Sequence, residues 1–189
     1  MITVMLGAFV EPPVLVEVPT RAQGAQAQER NPGLCDLETA QMAPVARRRA
    51  ALLHDIGKLS VPNRILDKPD RLEPDEWEIV KRHPYFTYES LARVPVFSEF
   101  AYDASCHHER LDGQGYYRGV VAESLSVPAR IMATADVFDA LSAARPYRGP
   151  LPLDQVMTIM LDGRGSRFCP ATPDALLATP YVSASGQIS

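Results

Sequence analysis

The sequence lacks most features of a secreted, membrane-spanning or polyanion-binding protein. Its three cysteines are an odd number without a CxxC pair, which argues against a disulfide framework or a thiolate zinc site. A formal net charge of −4 gives no basic excess, so we expect no nucleic acid polymer as partner. The apolar opening, MITVMLGAFV, is too short to span a bilayer, so we expect no membrane segment in this chain. Together these absences favour a soluble protein of the reducing cytoplasm.

Prolines divide the rest of the chain into segments with helical spacing. Pro74, Pro84 and Pro128 each open such a segment, and proline suits the first turn of a helix. The segment after Pro128 is apolar almost all round, so we expect the most buried helix there, ending at Pro146. The predicted helices cover 74–82, 84–94, 97–108, 128–144, 152–161 and 173–178. Because no convincing strand pattern occurs outside the first eighteen residues, the sequence predicts an all-α fold.

All four histidines of the chain lie at predicted helix ends or in apolar stripes. One such histidine is more often a satisfied core residue than a ligand. Several buried polar side chains would each cost about 1–3 kcal/mol if left unpaired, whereas one metal cluster satisfies all of them. Imidazole and carboxylate ligands without thiolates suit iron, manganese, nickel or zinc, and a carboxylate can bridge two ions. The sequence therefore predicts a dinuclear metal centre formed by His54, Asp55, His83, His107, His108 and Asp136.

Other polar residues have weaker signals. Asp139 lies one turn after Asp136, and we expect a local structural role for it. Lys58 would share a helical face with His54 if that helix continues, and could then meet a phosphate; the alternative is a solvated lysine. Arg145 and Arg148 follow the buried helix, where they could hold phosphate oxygens or simply be solvated.

The glycine-rich loop at residues 113–119, GQGYYRG, needs either positive φ angles or a close approach of its backbone to a ligand. In order along the chain, the runs HDIGK, KRHP, HHERLDGQGYYRG and ADVFDALSAARPYR resemble the HD-GYP family, a branch of the HD-domain metal-dependent phosphohydrolases. The resemblance covers about residues 47–180. It implies a helical bundle with a metal centre between the helices, often of iron or manganese, that hydrolyses cyclic di-GMP to pGpG or GMP.

The resemblance also assigns roles by position. It implies that the six predicted ligands bind metal, with Asp55 and Lys58 taking part in catalysis by a metal-bridging hydroxide. It implies substrate binding by Lys58, Gly115, Tyr116, Arg145 and Arg148. Two rival interpretations remain: an HD phosphohydrolase that acts on another nucleotide, and an inactive module that binds cyclic di-GMP or another protein.

The chain departs from the family pattern at three places. Tyr117 stands where proline is usual, and Cys169 stands where aspartate is usual, which should remove a cap near the last helix. Residues 1–46 lack the usual helix with a further ligand, for which Glu29 and Glu38 are the only local candidates. We therefore expect two divalent ions, iron or manganese, and pGpG as the main product.

The expected organisation is an atypical N-terminal segment and linker at 1–46, the HD-GYP domain at 47–180, and a tail at 181–189. A longer form could carry a receiver or sensor domain upstream, and the domain could form a homodimer.

Overall fold

The computed structural model describes residues 44–144 and 149–178. The regular elements in this part of the chain are helices. The α-helices are α1 (Pro44–Leu53), α2 (Asn63–Leu66), α3 (Pro74–Val80), α4 (His83–Ala92), α5 (Pro95–Ala104), α6 (Val127–Ser142), α7 (Leu153–Asp162) and α8 (Ala171–Leu177). Two 3-10 helices cover Ile56–Ser60 and Ala122–Ser124. In this part of the chain β-pairing is limited to two isolated bridges, Asp112 with Val121 and Arg164 with Phe168. The all-α prediction is confirmed.

Proline sets the start of α3, α4 and α6 as predicted, whereas α5 begins at Pro95 and ends at Ala104 instead of covering the predicted 97–108. Helices α3, α4, α5 and α6 each have proline in their first two positions. The helix from Pro74 ends at Val80 rather than near Arg82, because Pro84 has no N–H to bond the Val80 carbonyl and its ring would clash with that group. A short turn therefore separates α3 from α4. In α6 only Asp139 is exposed, in agreement with the expected buried helix.

The two larger of three apolar clusters organise the described residues. One lies between α1, α4 and α5 and is formed by Ala46, Ala50, Leu91, Phe100, Ala101 and Ala104. The other lies between α6, α7 and α8 and is formed by Phe138, Val156, Met157, Met160, Phe168 and Leu176. Met132 of α6 packs against the first cluster and Val137 packs against the second. Helix α6 thus connects the two halves of the domain.

Three features bear on the other sequence expectations. Cys106 and Cys169 are free, buried thiols, and burial raises the pKa of both. The N-cap residue of α8 is Pro170, which makes no side-chain capping bond, so the loss of a cap expected from cysteine at 169 stays a prediction. Among the described residues, no helix combines the length and the apolar character needed to cross a membrane. The segments 1–43 and 179–189, and Pro146, lie outside the described residues.

A close backbone contact fixes the first 3-10 helix against α4. The Gly57 amide donates to Thr87 Oγ1 at 3.1 Å, and that hydroxyl donates to the His54 carbonyl oxygen at 2.7 Å. A Cβ at position 57 would overlap the His83 carbonyl oxygen and lie 2.5 Å from the Thr87 nitrogen. Only glycine fits this approach without a shift of one backbone against the other.

We expect Gly57→Ala to lower the free energy of unfolding by about 1–3 kcal/mol, because the added methyl group overpacks a backbone contact. Urea unfolding followed by circular dichroism measures the change. The matched control is Gly149→Ala, where a Cβ would meet nothing within 4 Å. Equal stabilities of the two variants would contradict the argument.

Candidate metal centre

Three histidines cap the carboxyl ends of three helices. His54 Nδ1 lies 2.7 Å from the Ala51 carbonyl oxygen at the end of α1. His83 Nδ1 lies 2.8 Å from the Val80 carbonyl oxygen, which Pro84 leaves without an amide partner. His107 Nδ1 lies 2.7 Å from the Ala104 carbonyl oxygen at the end of α5. The last carbonyls of a helix have no partner within it, so each of these three accepts a hydrogen bond from an imidazole.

These bonds decide which ring nitrogen faces the centre. A histidine that donates from Nδ1 presents the lone pair of Nε2, as metal-binding histidines commonly do. His83 Nε2 and His107 Nε2 lie 3.0 Å apart, and both nitrogens lie near Asp55 Oδ1, at 3.3 and 3.6 Å. His54 Nε2 lies 3.5 Å from Asp55 Oδ2. Three imidazole nitrogens and one carboxylate therefore converge on a small volume.

Asp136 closes the other side of this centre from α6. Its Oδ1 lies 3.6 Å from His54 Nε2, and its Oδ2 lies 3.6 Å from His108 Nδ1. The six predicted ligands are thus brought together by the fold. Two overlapping groups of three have ligand atoms within 4.8 Å of one another: His83 with His107 and His108, and His54 with Asp55 and His107.

Burial and charge give these groups unequal proton affinities. Burial lowers the pKa of His107 well below its usual value and lowers that of His108 to about 4. Burial also disfavours the charged form of His54. Hydrogen bonds with Asp136 and Asp55 outweigh this effect of burial and raise the pKa of His54 to about 10. For Asp55, burial opposes the charged form, but the neighbouring His54 and His83 rings and the Lys58 charge outweigh burial and hold the pKa of Asp55 well below its usual range. For Asp136, the hydrogen bond with His54 likewise outweighs burial and lowers the pKa, so both carboxylates stay ionised and attract positive charge.

The residues fit a divalent cation. Asp55 Oδ1 is buried without a hydrogen-bond donor, and an unpaired buried carboxylate oxygen is costly. The facing lone pairs of His83 and His107 also need a cation or a proton between them. Helix carboxyl ends carry partial negative charge, which favours a cation at this point. Imidazole and carboxylate ligands suit iron, manganese or zinc, and the ligand types alone do not distinguish among these three metals.

Lys58 lies beside the centre, in a geometry that differs from the predicted one. Helix α1 ends at Leu53 and a 3-10 helix follows, so Lys58 does not share an α-helical face with His54. Its Nζ instead donates to Asp55 Oδ2 at 2.5 Å, with about a quarter of the side chain exposed. The lysine charge therefore sits next to the ligand cluster.

The glycine-rich loop packs directly on a predicted ligand. The Tyr116 ring stacks on His108 at a centroid separation of 4.6 Å and an interplanar angle of 29°. Gly115 permits this, because a Cβ there would overlap Glu109 Cα and lie 2.6 Å from the Arg110 nitrogen. Tyr116 is largely buried, and that burial raises the pKa of its hydroxyl. The loop thus covers one face of the centre with an aromatic ring.

Sequence reasoning missed the residues that hold this loop. Glu109 is 2% exposed, and its carboxylate accepts from the Arg118 amide at 2.7 Å and from the Val120 amide at 3.2 Å. The Arg118 guanidinium lies over three tyrosine rings, with two nitrogens buried and without hydrogen-bond partners. Its centroid distances are 4.7 Å to Tyr88, 5.0 Å to Tyr102 and 4.7 Å to Tyr117. An acid directly after two histidines in a buried stripe was the available signal for Glu109.

Other predicted residues lie elsewhere. Arg145, Arg148, Glu29 and Glu38 lie outside the described residues. Asp139 is exposed on α6, and its carbonyl oxygen accepts from the Ala143 amide at 2.9 Å.

The comparisons with known proteins agree with this geometry. The family model described as HD domain matches residues 34–172. A 3'3'-cGAMP-specific phosphodiesterase of Vibrio cholerae is 53% identical over 113 residues, 60% of this chain and 25% of that protein.

Two further relatives are named for cyclic di-GMP. A cyclic di-GMP phosphodiesterase response regulator of Xanthomonas campestris is 45% identical over 130 residues, 68% of this chain and 34% of that protein. A cyclic di-GMP phosphodiesterase of Thermotoga maritima is 41% identical over 130 residues, 68% of this chain and 35% of that protein. The chain spans a quarter to about a third of the length of these relatives. On the matched residues and the histidine and aspartate cluster, the chain belongs to the HD domain family and is of the HD-GYP type.

Proposed function

We propose that this chain carries the active site of a metal-dependent phosphodiesterase of cyclic dinucleotides. The substrate that we propose is cyclic di-GMP, which the enzyme hydrolyses to pGpG. The observation that carries the proposal is the cluster itself: three oriented imidazoles surround the ionised carboxylate of Asp55, and two of them, His83 and His107, face its buried, donor-free Oδ1. Relatives named as phosphodiesterases of cyclic dinucleotides support the substrate class.

The six residues of the cluster would hold two divalent ions, iron or manganese. When bound, such ions supply an activated water at neutral pH and neutralise phosphate charge. Asp55 faces histidines of both groups of ligands and would help to hold both ions. Lys58 stands within reach of the same carboxylate and would orient a phosphate oxygen as a point charge. Gly115 and Tyr116 would bound the substrate side, and Arg145 and Arg148 stay predictions as phosphate-binding residues.

A second substrate is favoured by one observation. The Vibrio cholerae relative at 53% identity is named for 3'3'-cGAMP, and that identity exceeds the 45% and 41% of the relatives named for cyclic di-GMP. Both dinucleotides carry two purine bases on a cyclic phosphodiester, so the same metal cluster would serve either. Substrate choice is therefore decided away from the metal ligands.

His107→Ala and Asp136→Asn should each lower metal affinity by at least about 100-fold, because changes behind a ligand already cost 10- to 100-fold. Elemental analysis of dialysed protein measures the loss. The control is Asp162→Asn, an exposed aspartate at the end of α7. Thermal unfolding confirms that each variant is folded. Wild-type metal content in a folded His107→Ala protein would remove that residue from the ligand set.

Lys58→Gln should reduce kcat/KM by about 10- to 100-fold with metal content retained, since a charged hydrogen bond to phosphate contributes about 1.5–3 kcal/mol. The measurement pairs steady-state kinetics with metal analysis. Lys81→Gln is the control, because Lys81 also pairs with an acid three residues away, Glu78, at 2.6 Å. Unchanged kcat/KM in the Lys58 variant would place the phosphate contact elsewhere.

Anaerobic loading with iron or manganese, followed by chromatography, tests the activity. We expect two ions per chain and a linear dinucleotide as the main product from cyclic di-GMP, with 3'3'-cGAMP assayed in parallel. A higher kcat/KM for 3'3'-cGAMP would reassign the substrate. Three ions with mononucleotide as the main product would contradict the dinuclear argument. Metal-loaded protein that binds a dinucleotide without cleaving it would favour a binding module.

A further inference from the structure

Trp77 is the only tryptophan of the chain, and its side chain stands at the edge of the candidate centre. It is 43% exposed, and it lies on α3 beside the glycine-rich loop. Its ring meets Tyr116 edge to face, with a centroid separation of 6.0 Å and an interplanar angle of 76°. Since Tyr116 stacks on His108, the rings form a continuous series from a predicted ligand to the surface.

The position of Trp77 is fixed before any ligand arrives. Glu76 accepts from the Glu73 amide at 2.8 Å in the capping box of α3, and from Lys68 Nζ at 2.6 Å. The Trp77 amide donates to the Glu73 carbonyl oxygen at 2.9 Å. A rigid aromatic side chain on such a helix loses little entropy when a ligand stacks on it.

We propose that Trp77 is a base-stacking residue, whose exposed indole takes one purine base of the cyclic dinucleotide. This inference rests on the proposed function. In a nucleotide one ribose separates the base from its phosphate, and here one ring, Tyr116, separates Trp77 from His108. A phosphate bound at the metal cluster would then have its base within reach of the indole, along the Tyr116 side. Stacking on an aromatic side chain accepts any base, because every base has a π-face.

Other exposed aromatic residues lack this placement. Tyr85 is 38% exposed and contacts Tyr117 at 5.6 Å, and Tyr102 is 36% exposed and lies beside Arg118. Neither has a ring contact with Tyr116 among the described residues. Trp77 is thus distinguished by its contact with the ring that covers the centre.

The single tryptophan makes the test direct, because all indole emission comes from Trp77. Metal-loaded protein is titrated with a hydrolysis-resistant phosphorothioate analogue of cyclic di-GMP, and binding is measured in parallel by calorimetry. We expect saturable quenching of indole emission that follows the calorimetric isotherm. Ribose 5-phosphate, which has no base, should leave the emission unchanged.

Substitution gives the second arm of the test. Trp77→Ala should weaken binding of the analogue about tenfold, with Trp77→Phe in between and metal content unchanged in both. Tyr85→Ala is the matched control, an exposed ring that touches the same loop, and should bind like the wild type. A loss in Tyr85→Ala as large as in Trp77→Ala would assign the effect to loop packing and overturn the inference.

The outcomes separate this inference from the proposed function. Calorimetric binding with unchanged emission, together with unchanged affinity in Trp77→Ala, overturns base stacking and leaves the phosphodiesterase proposal standing. Metal-loaded wild type that binds no cyclic dinucleotide overturns both.

Discussion

The site depends on the meeting of three helix carboxyl ends. Helices α1, α3 and α5 each end with a carbonyl oxygen that has no amide partner in its helix, and a histidine three residues later donates to it. This single arrangement satisfies the carbonyl, fixes the tautomer and directs Nε2 inward. The same helix ends bring partial negative charge to the centre, which favours a cation there.

The centre also joins the two halves of the domain. The histidines and Asp55 lie at the ends of the helices in the first half of the domain. Asp136 comes from α6, which packs against both of the larger apolar clusters. A cation bound between Asp55 and Asp136 would therefore stabilise the packing of α6 as well as the site, since ligand binding to the folded state adds to its stability. Without a bound cation, the positive charge that faces the two carboxylates comes from protonated His54, whose pKa is raised to about 10.

The glycine-rich loop covers the centre through buried polar contacts made outside it. Glu109 holds the loop amides, and Arg118 packs on tyrosines from α4, α5 and the loop itself. A guanidinium on aromatic faces is attracted by the ring quadrupoles even where it has no carboxylate partner. The result is a fixed position for Tyr116 on His108, with Trp77 as the next ring towards solvent.

The sequence by itself determined the all-α class, the proline starts of α3, α4 and α6, and the histidines and aspartates that are candidate ligands, because these follow from local sterics and from the cost of burying unpaired polar groups. Only the tertiary structure decided which ring nitrogen faces the centre, since that depends on carbonyls freed at helix ends. The tertiary structure also decided that Lys58 pairs with Asp55, because the chain changes to a 3-10 helix after Leu53. That change depends on the fit of Gly57 against α4. The positions of Arg118 and Trp77 could not be predicted from sequence periodicity, because their contacts with aromatic rings join segments that are far apart in the chain.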